Sequence, residues 1–174
     1  MSQDYVGQHS APDPEFGAPM HDVTANGMYP KDFYEKSHHY VSGAETGSHE
    51  SMSAVRAVKG KRHAYVTVYR AVPHGVKGAK INEGDWVTPS REYAKEHGRS
   101  NLNSKYRIIS VKAKAGHLWN DANSINEWGY HPSAHIEPRT PEENAKRQAD
   151  FAALNERLQS RKAHLQAFEE GAGR

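Results

Sequence analysis

The stretch HAYVTVYRAV, residues 63–72, decides the fold. Its β-branched and aromatic side chains suit a pleated, half-buried surface and read as a strand. Alternation puts Tyr65, Thr67 and Tyr69 on one face and Val66, Val68 and Arg70 on the other. An arginine at the end of an otherwise apolar face requires an anion or an acceptor beside it.

The elements on either side of this strand set the class. ESMSAVRAVKG (50–60) reads as a short helix ending at a Gly cap, with Met52, Val55 and Val58 at helical spacing. PHGVKGAKINEGD (73–85) is a Gly-rich connection, and WVT (86–88) is a short strand. PSREYAKEHG (89–98) reads as a helix with Pro89 at its first position and Gly98 at its end. YRIISVKAKA (106–115) alternates as a strand, GHLWNDANS is a turn region, and INEWGY (125–130) is the next strand. Before them, HDVTANGMYPKDFY (21–34) places Met28, Tyr29, Phe33 and Tyr34 around turn signals and predicts an irregular, packed segment. Residues 1–19 read as a flexible lead-in. After residue 139 the pattern changes. Thr140, Pro141 and Glu143 make a helix start, and Phe151, Leu154, Leu158, Leu165 and Phe168 form a sparse apolar seam, interrupted by Arg161. The expected organisation is a lead-in (1–19), an α+β domain (20–138) and a C-terminal amphipathic helix (139–174).

The chain has 174 residues, 36% hydrophobic and 25% charged, with a formal charge of +2 and a mean hydropathy of −0.93. It contains no cysteine, which excludes disulfides, thiolate metal sites and a cysteine nucleophile and fits a reducing compartment. No apolar run approaches the ~20 residues that a bilayer span requires. The first residues lack the basic-then-apolar order of a secretion signal, so a membrane partner is not expected. His131 and His135 are four apart, but Pro132 argues against a helix there, and no metal site is expected.

Three polar features stand out in this frame: Arg70 in its strand, the hydroxyls of Thr88 and Ser90 at a strand-to-helix corner, and Glu127 between Asn126 and Trp128. Alternation gives Glu127 a face shared with Ile125 and with Gly129, which leaves room beside it. Taken singly, each has a structural explanation: an ion pair for Arg70, a helix cap for Thr88 or Ser90, an edge charge for Glu127.

Taken in order, the three resemble the ADP-ribosyltransferase fold of the Arg–Ser–Glu type. VTVYRAV is similar to the family's arginine strand, GDWVTPSREYAKEHG to its hydroxyl corner and following helix, and INEWGY to its glutamate strand. GAPMHDVTANGMYP, VTVYRAVP, NEGDWVTPSREYA and INEWGY further resemble modules of bacteriophage proteins and large polyvalent proteins. The resemblance covers roughly residues 64–130. It implies split antiparallel β-sheets with short helices, NAD as substrate, and a location in a bacterial host cytoplasm or in a virion.

Family members cleave the nicotinamide–ribose bond through an oxocarbenium-like transition state. The resemblance makes Glu127 the carboxylate that stabilises the positive ribose and Arg70 the fork that holds the pyrophosphate or ribose. The Ala71 backbone would pair with the nicotinamide amide, and Thr88 or Ser90 would hold Glu127. Tyr69, Trp86 and Trp128 would shape the nicotinamide pocket. The usual Ser-Thr-Ser is replaced by VTPS. Many members carry Glu or Gln two residues before the catalytic glutamate, where this chain has Ile125. The acceptor therefore stays open between protein, nucleic acid and water. Two other classes remain alongside. One is a non-catalytic phage structural or interaction protein that docks a protein partner through the 140–170 helix. The other is a nucleic-acid-associated module using the basic run RAVKGKRH (56–63).

Overall fold

The computed structural model describes residues 11–134 and scattered positions between 145 and 160. The chain divides into two units, residues 1–135 and 136–174. Among the described residues of the first, two α-helices, α1 (Ser48–Ala57) and α2 (Arg91–Asn101), accompany six strands: β1 (Ala18–Pro19), β2 (Tyr65–Pro73), β3 (Trp86–Val87), β4 (Tyr106–Lys114), β5 (Leu118–Asn120) and β6 (Trp128–Tyr130). The class is α+β with antiparallel sheets, as expected.

The strands make two sheets. β2 and β4 form a nine-residue antiparallel ribbon in register from Tyr65 opposite Lys114 to Pro73 opposite Tyr106. The second sheet has the order β1-β5-β6-β3. The ribbon's β-branched residues bury one face, where Val66, Val68 and Val72 lie with Ala113. Arg70 belongs to that face, as alternation predicts, beside Ile109 across the ladder. A short 3-10 turn (Ala115–His117) carries the chain from β4 into β5. It is pinned by Ala115 N–H to the Ala64 carbonyl (2.8 Å) and Gly116 N–H to the Arg62 carbonyl (3.0 Å). The two sheets meet at one bridge, where Tyr69 and Thr88 exchange backbone hydrogen bonds of 2.8 and 3.0 Å.

Several expectations need correction. The segment GHLWNDANS is not all turn, because Leu118–Asn120 is a fully buried strand. β6 starts at Trp128, so Ile125 and Asn126 form a turn and Glu127 directly precedes the strand. The lead-in is shorter than 19 residues. Ala18 and Pro19 pair with Asn120 and Trp119, and Ala11, Gly17 and Ala18 are buried; residues 1–10 lie outside the described ones. α2 begins one residue after its cap Ser90, so Pro89 precedes the helix. Gly98 lies inside α2, where a Cβ would strike the ring of Tyr106, and the bare backbone lets the helix settle on β4. α1 starts two residues earlier than its sequence suggests, with Met52, Val55 and Val58 buried as expected. The packed segment at 21–34 is also as expected: Met28, Tyr29 and Phe33 are buried, and the Tyr29 and Phe33 rings lie 4.1 Å apart.

In the second unit, the described positions Ala145, Lys146, Ala149, Ala152, Ala153, Glu156, Arg157 and Ser160 are helical and exposed. The rest of the expected 140–170 helix, including its apolar seam, lies outside the described residues. No helix among the described residues is long and apolar enough to cross a membrane.

Gly129 sits at the centre of the second sheet, opposite Trp119 on one side and Trp86 on the other. A Cβ there would fall inside the Pro12 carbonyl oxygen, which also accepts a hydrogen bond from His131 Nε2 at 2.9 Å. The space that glycine leaves is therefore filled by the N-terminal segment and is not open beside Glu127. Because the obstacle is backbone, Gly129→Ala is expected to lower unfolding free energy by about 1–3 kcal/mol. Gly75→Ala, where nothing lies within 4 Å, should change it little. Urea melts of the two variants check this, and equal midpoints would refute it.

Candidate functional site

The loop between β5 and β6 is built from buried polar groups. Asn120 is fully buried. Its side-chain nitrogen donates to the carbonyls of Ser124 (2.7 Å) and Glu127 (2.8 Å), and its oxygen accepts from the Ala122 N–H at 2.8 Å. Asn126 is also fully buried. It accepts from Ser51 Oγ at 2.6 Å and donates to the Thr46 carbonyl at 3.1 Å, which ties the loop to the start of α1. Trp128 Nε1 donates to the Ile125 carbonyl at 2.7 Å. Buried amides left without such partners are costly, so the loop is held in one conformation and Glu127 with it.

The hydroxyl that meets Glu127 is Tyr93's, donating to Oε1 at 2.8 Å. Tyr93 lies three residues beyond the cap of α2. Burial and the Glu127 carboxylate together push its phenol well above the ordinary tyrosine range. Thr88 and Ser90, the two expected hydroxyls, are buried and serve the corner instead. Thr88 Oγ1 accepts from Ser90 N–H (3.1 Å). Ser90 Oγ accepts from Tyr93 N–H (3.1 Å), which caps the helix, and donates to the Glu50 carboxylate of α1 (2.5 Å). Ser90 thus acts on Glu127 only through Tyr93.

Arg70 stands at the seam between the sheets. Its Nη1 donates to the Trp86 carbonyl at 2.8 Å, and its Nη2 lies 3.5 Å from Asp85 Oδ1. These contacts fix the plane of the guanidinium while the side chain stays about one-third exposed (32%). The fork has five N–H donors, and these two bonds leave others for a ligand.

His97, one turn beyond Tyr93 on α2, senses both ends of the site. Burial lowers its pKa first, Glu127 raises it and Arg70 lowers it. The charges of Glu127 and Arg70 thus both bear on His97, and Trp86, whose carbonyl holds Arg70, pairs with Gly129, two residues after Glu127. Asn101 Nδ2 lies 3.1 Å from His97 Nδ1, which fits a neutral ring.

The aromatic candidates divide. Trp86 is half-buried at the seam. Trp128 is fully buried and bonded within its own turn, so it is core and cannot stack on a ligand. Tyr69 belongs to the opposite face of β2 from Arg70, so it does not share that arginine's surroundings. Ala71 is better placed. Tyr69 turns its backbone groups to Thr88, so strand alternation turns the Ala71 amide and carbonyl to the same edge, beyond the bridge to Thr88. Among the described residues no group of three or more His, Asp or Glu could hold a metal ion.

Tyr93 and His97 are the residues that sequence reading missed. They lie four apart on the helix that follows the hydroxyl corner, the spacing that puts two side chains on one helix face. In comparisons with known proteins, no family model, no curated protein and no solved structure matches this chain.

Two measurements check this geometry. Replacing Asn126 by Ala leaves Ser51 and the Thr46 carbonyl without their partner and is expected to cost about 1–3 kcal/mol of stability, read by chemical denaturation. In Glu127→Gln the charge beside Tyr93 is gone, so its phenol should ionise at lower pH than in the wild type. Difference absorbance near the phenolate band, followed against pH, reads the shift. Superimposable titrations would exclude the Tyr93–Glu127 contact.

Proposed function

We propose that the chain is an ADP-ribosyltransferase-like, NAD-cleaving protein of bacteriophage or bacterial type. The observation that carries this reading is the pairing of a seam arginine, Arg70, with a rigidly mounted carboxylate, Glu127, both within electrostatic reach of His97. Arg70 offers a guanidinium held in plane to the NAD pyrophosphate. The open edge at Ala71 offers one donor and one acceptor to the nicotinamide carboxamide. Glu127, oriented by Tyr93, faces the ribose and stabilises its developing positive charge as the bond to nicotinamide breaks. Nicotinamide leaves with the bonding pair. An acceptor hydroxyl, amine or water then attacks the ribose C1′ and releases its proton.

The part assigned to a serine or threonine in the Arg–Ser–Glu pattern falls here to Tyr93. A phenol that resists ionisation remains a hydrogen-bond donor across the working pH range, and so keeps the carboxylate aimed without neutralising it. Trp86, half-buried beside Arg70, is the aromatic that borders the nucleotide.

Incubation with NAD labelled in the adenylate part, together with bacterial lysate, tests the reading, with release of free nicotinamide followed in parallel. The wild type is expected to transfer label or hydrolyse NAD. Glu127→Gln should lower either rate by about 100-fold or more, with an unchanged melting temperature. Tyr93→Phe should lower kcat more than it raises KM, because it disturbs aim and not binding. NAD cleavage that survives intact in Glu127→Gln would remove the assignment.

A further inference from the structure

The near-neutral formal charge conceals a segregation. Residues 51–82 and 97–120 contain twelve Lys and Arg and no Asp or Glu. The rest of the 11–134 body holds four Lys and Arg against thirteen Asp and Glu. The two carboxylate-free segments contain β2 and β4 with their flanks, so the whole ribbon is cationic. Among the described residues, only Arg70 and Arg99 of the twelve meet a carboxylate.

The ribbon has two faces. One is the core face of Val66, Val68 and Val72. The other is covered at one end by α2, whose Gly98 sits on Tyr106. At the opposite end it is open: Tyr65, Thr67 and Lys112 are exposed there. The register puts Lys114 directly opposite Tyr65 and Lys112 directly opposite Thr67, so these four side chains share one face. Arg62 and His63 lie in the turn that precedes β2. The Arg62 side chain lies along Gly116. The charges of Lys114, Arg62 and His63 all bear on His117, and those of Arg62 and His63 bear on His21. Asp22, next to His21, sets a negative charge against that histidine. Tyr65 is 64% exposed, with Lys114 directly across the ladder and Lys112 diagonal to it.

We propose that the open half of the β2–β4 face binds single-stranded nucleic acid, with Arg62, Lys112 and Lys114 on phosphates and a base stacked on Tyr65. A flat strand pair with a solvent-facing ring between cations suits splayed bases better than a duplex groove, because every base has a face to stack while the phosphates follow the charges. An anionic lipid surface or an acidic protein would draw on the same charges, and the duplex, heparin and vesicle arms of the test separate them from a single strand. The proposal does not depend on NAD chemistry, since none of these residues belongs to the Arg70–Glu127 site.

Fluorescence anisotropy of the full chain with a labelled oligo-dT of about 20 nucleotides tests it, beside a duplex of equal length, heparin as competitor, and phosphatidylserine vesicles. Binding is expected at low salt, with a log–log salt slope of about −0.7 for each phosphate contacted. Lys112→Glu with Lys114→Glu should weaken it by about tenfold or more and flatten that slope. Tyr65→Ala should weaken it by about fivefold or more while leaving the slope unchanged. The milder pair Lys112→Gln with Lys114→Gln repeats the charge test should the reversal disturb folding, which circular dichroism reports. No binding at about 20 mM salt would overturn the proposal, as would binding that ignores the lysine changes. So would equal affinity for duplex or vesicles with no loss in Tyr65→Ala, since the surface would then be a generic anion attractor.

Discussion

The interior amide of Asn126 is the constraint on which the rest of the site depends. It joins the loop before β6 to the N-terminal turn of α1 through Ser51 and Thr46, with its own side chain and that of Ser51 wholly shielded from solvent. With Asn120 holding the Ser124 and Glu127 carbonyls from the other side, the loop has one way to close. Trp128 then falls into the core, β6 takes its place between β5 and β3, and Glu127 is left at the rim of that sheet. A charged side chain is thus positioned by the uncharged residues around it, which agrees with the general need for a rigid support beneath a group whose placement matters.

A second chain of dependence runs through the helices. Glu50 of α1 receives Ser90, Ser90 caps α2, and the first turn of α2 presents Tyr93 to Glu127. Gly47, at the start of α1, has positive φ and lies so near Ser90 that a Cβ would collide with its hydroxyl. The two helix starts are therefore in direct backbone-to-side-chain contact. Meanwhile the seam between the sheets is a single bridge, and Arg70 occupies the wedge beyond it by bonding the Trp86 carbonyl. The arginine closes the splay of the two sheets and also offers donors outward, which explains a cation on an otherwise apolar strand face.

Much of this could be read from the residues, and the limits have physical reasons. β2 and β4 are long, β-branched and alternating, so their existence, length and the inward side of Arg70 followed from the pattern. β5 and β6 have three residues each, too few for a period to show. Asn120, which ends β5, and Asn126, before β6, look like loop residues because nothing local says that an amide is buried. That is why Glu127 was expected within a strand and Trp128 at a pocket, when the first precedes the strand and the second is core. β1, an Ala-Pro pair, carries no strand signal at all and exists only because β5 offers it an edge. The corner offers small hydroxyls at Thr88 and Ser90, while the tertiary fold brings a phenol from the following turn to Glu127. The charge segregation was hidden for a different reason: a total averages over the faces of a molecule, and only the strand register shows which cations stand together.

The contact between Gly129 and the Pro12 carbonyl has a consequence for how such a chain can diverge. Position 129 lies in the middle of a sheet, where any L-residue could otherwise keep the pairing, yet here it is locked to the path of a segment more than a hundred positions upstream. A lineage that acquires a side chain at 129 has to reroute its first turn in the same step or lose the central ladder. In an alignment of descendants, the two regions should therefore mutate as one character.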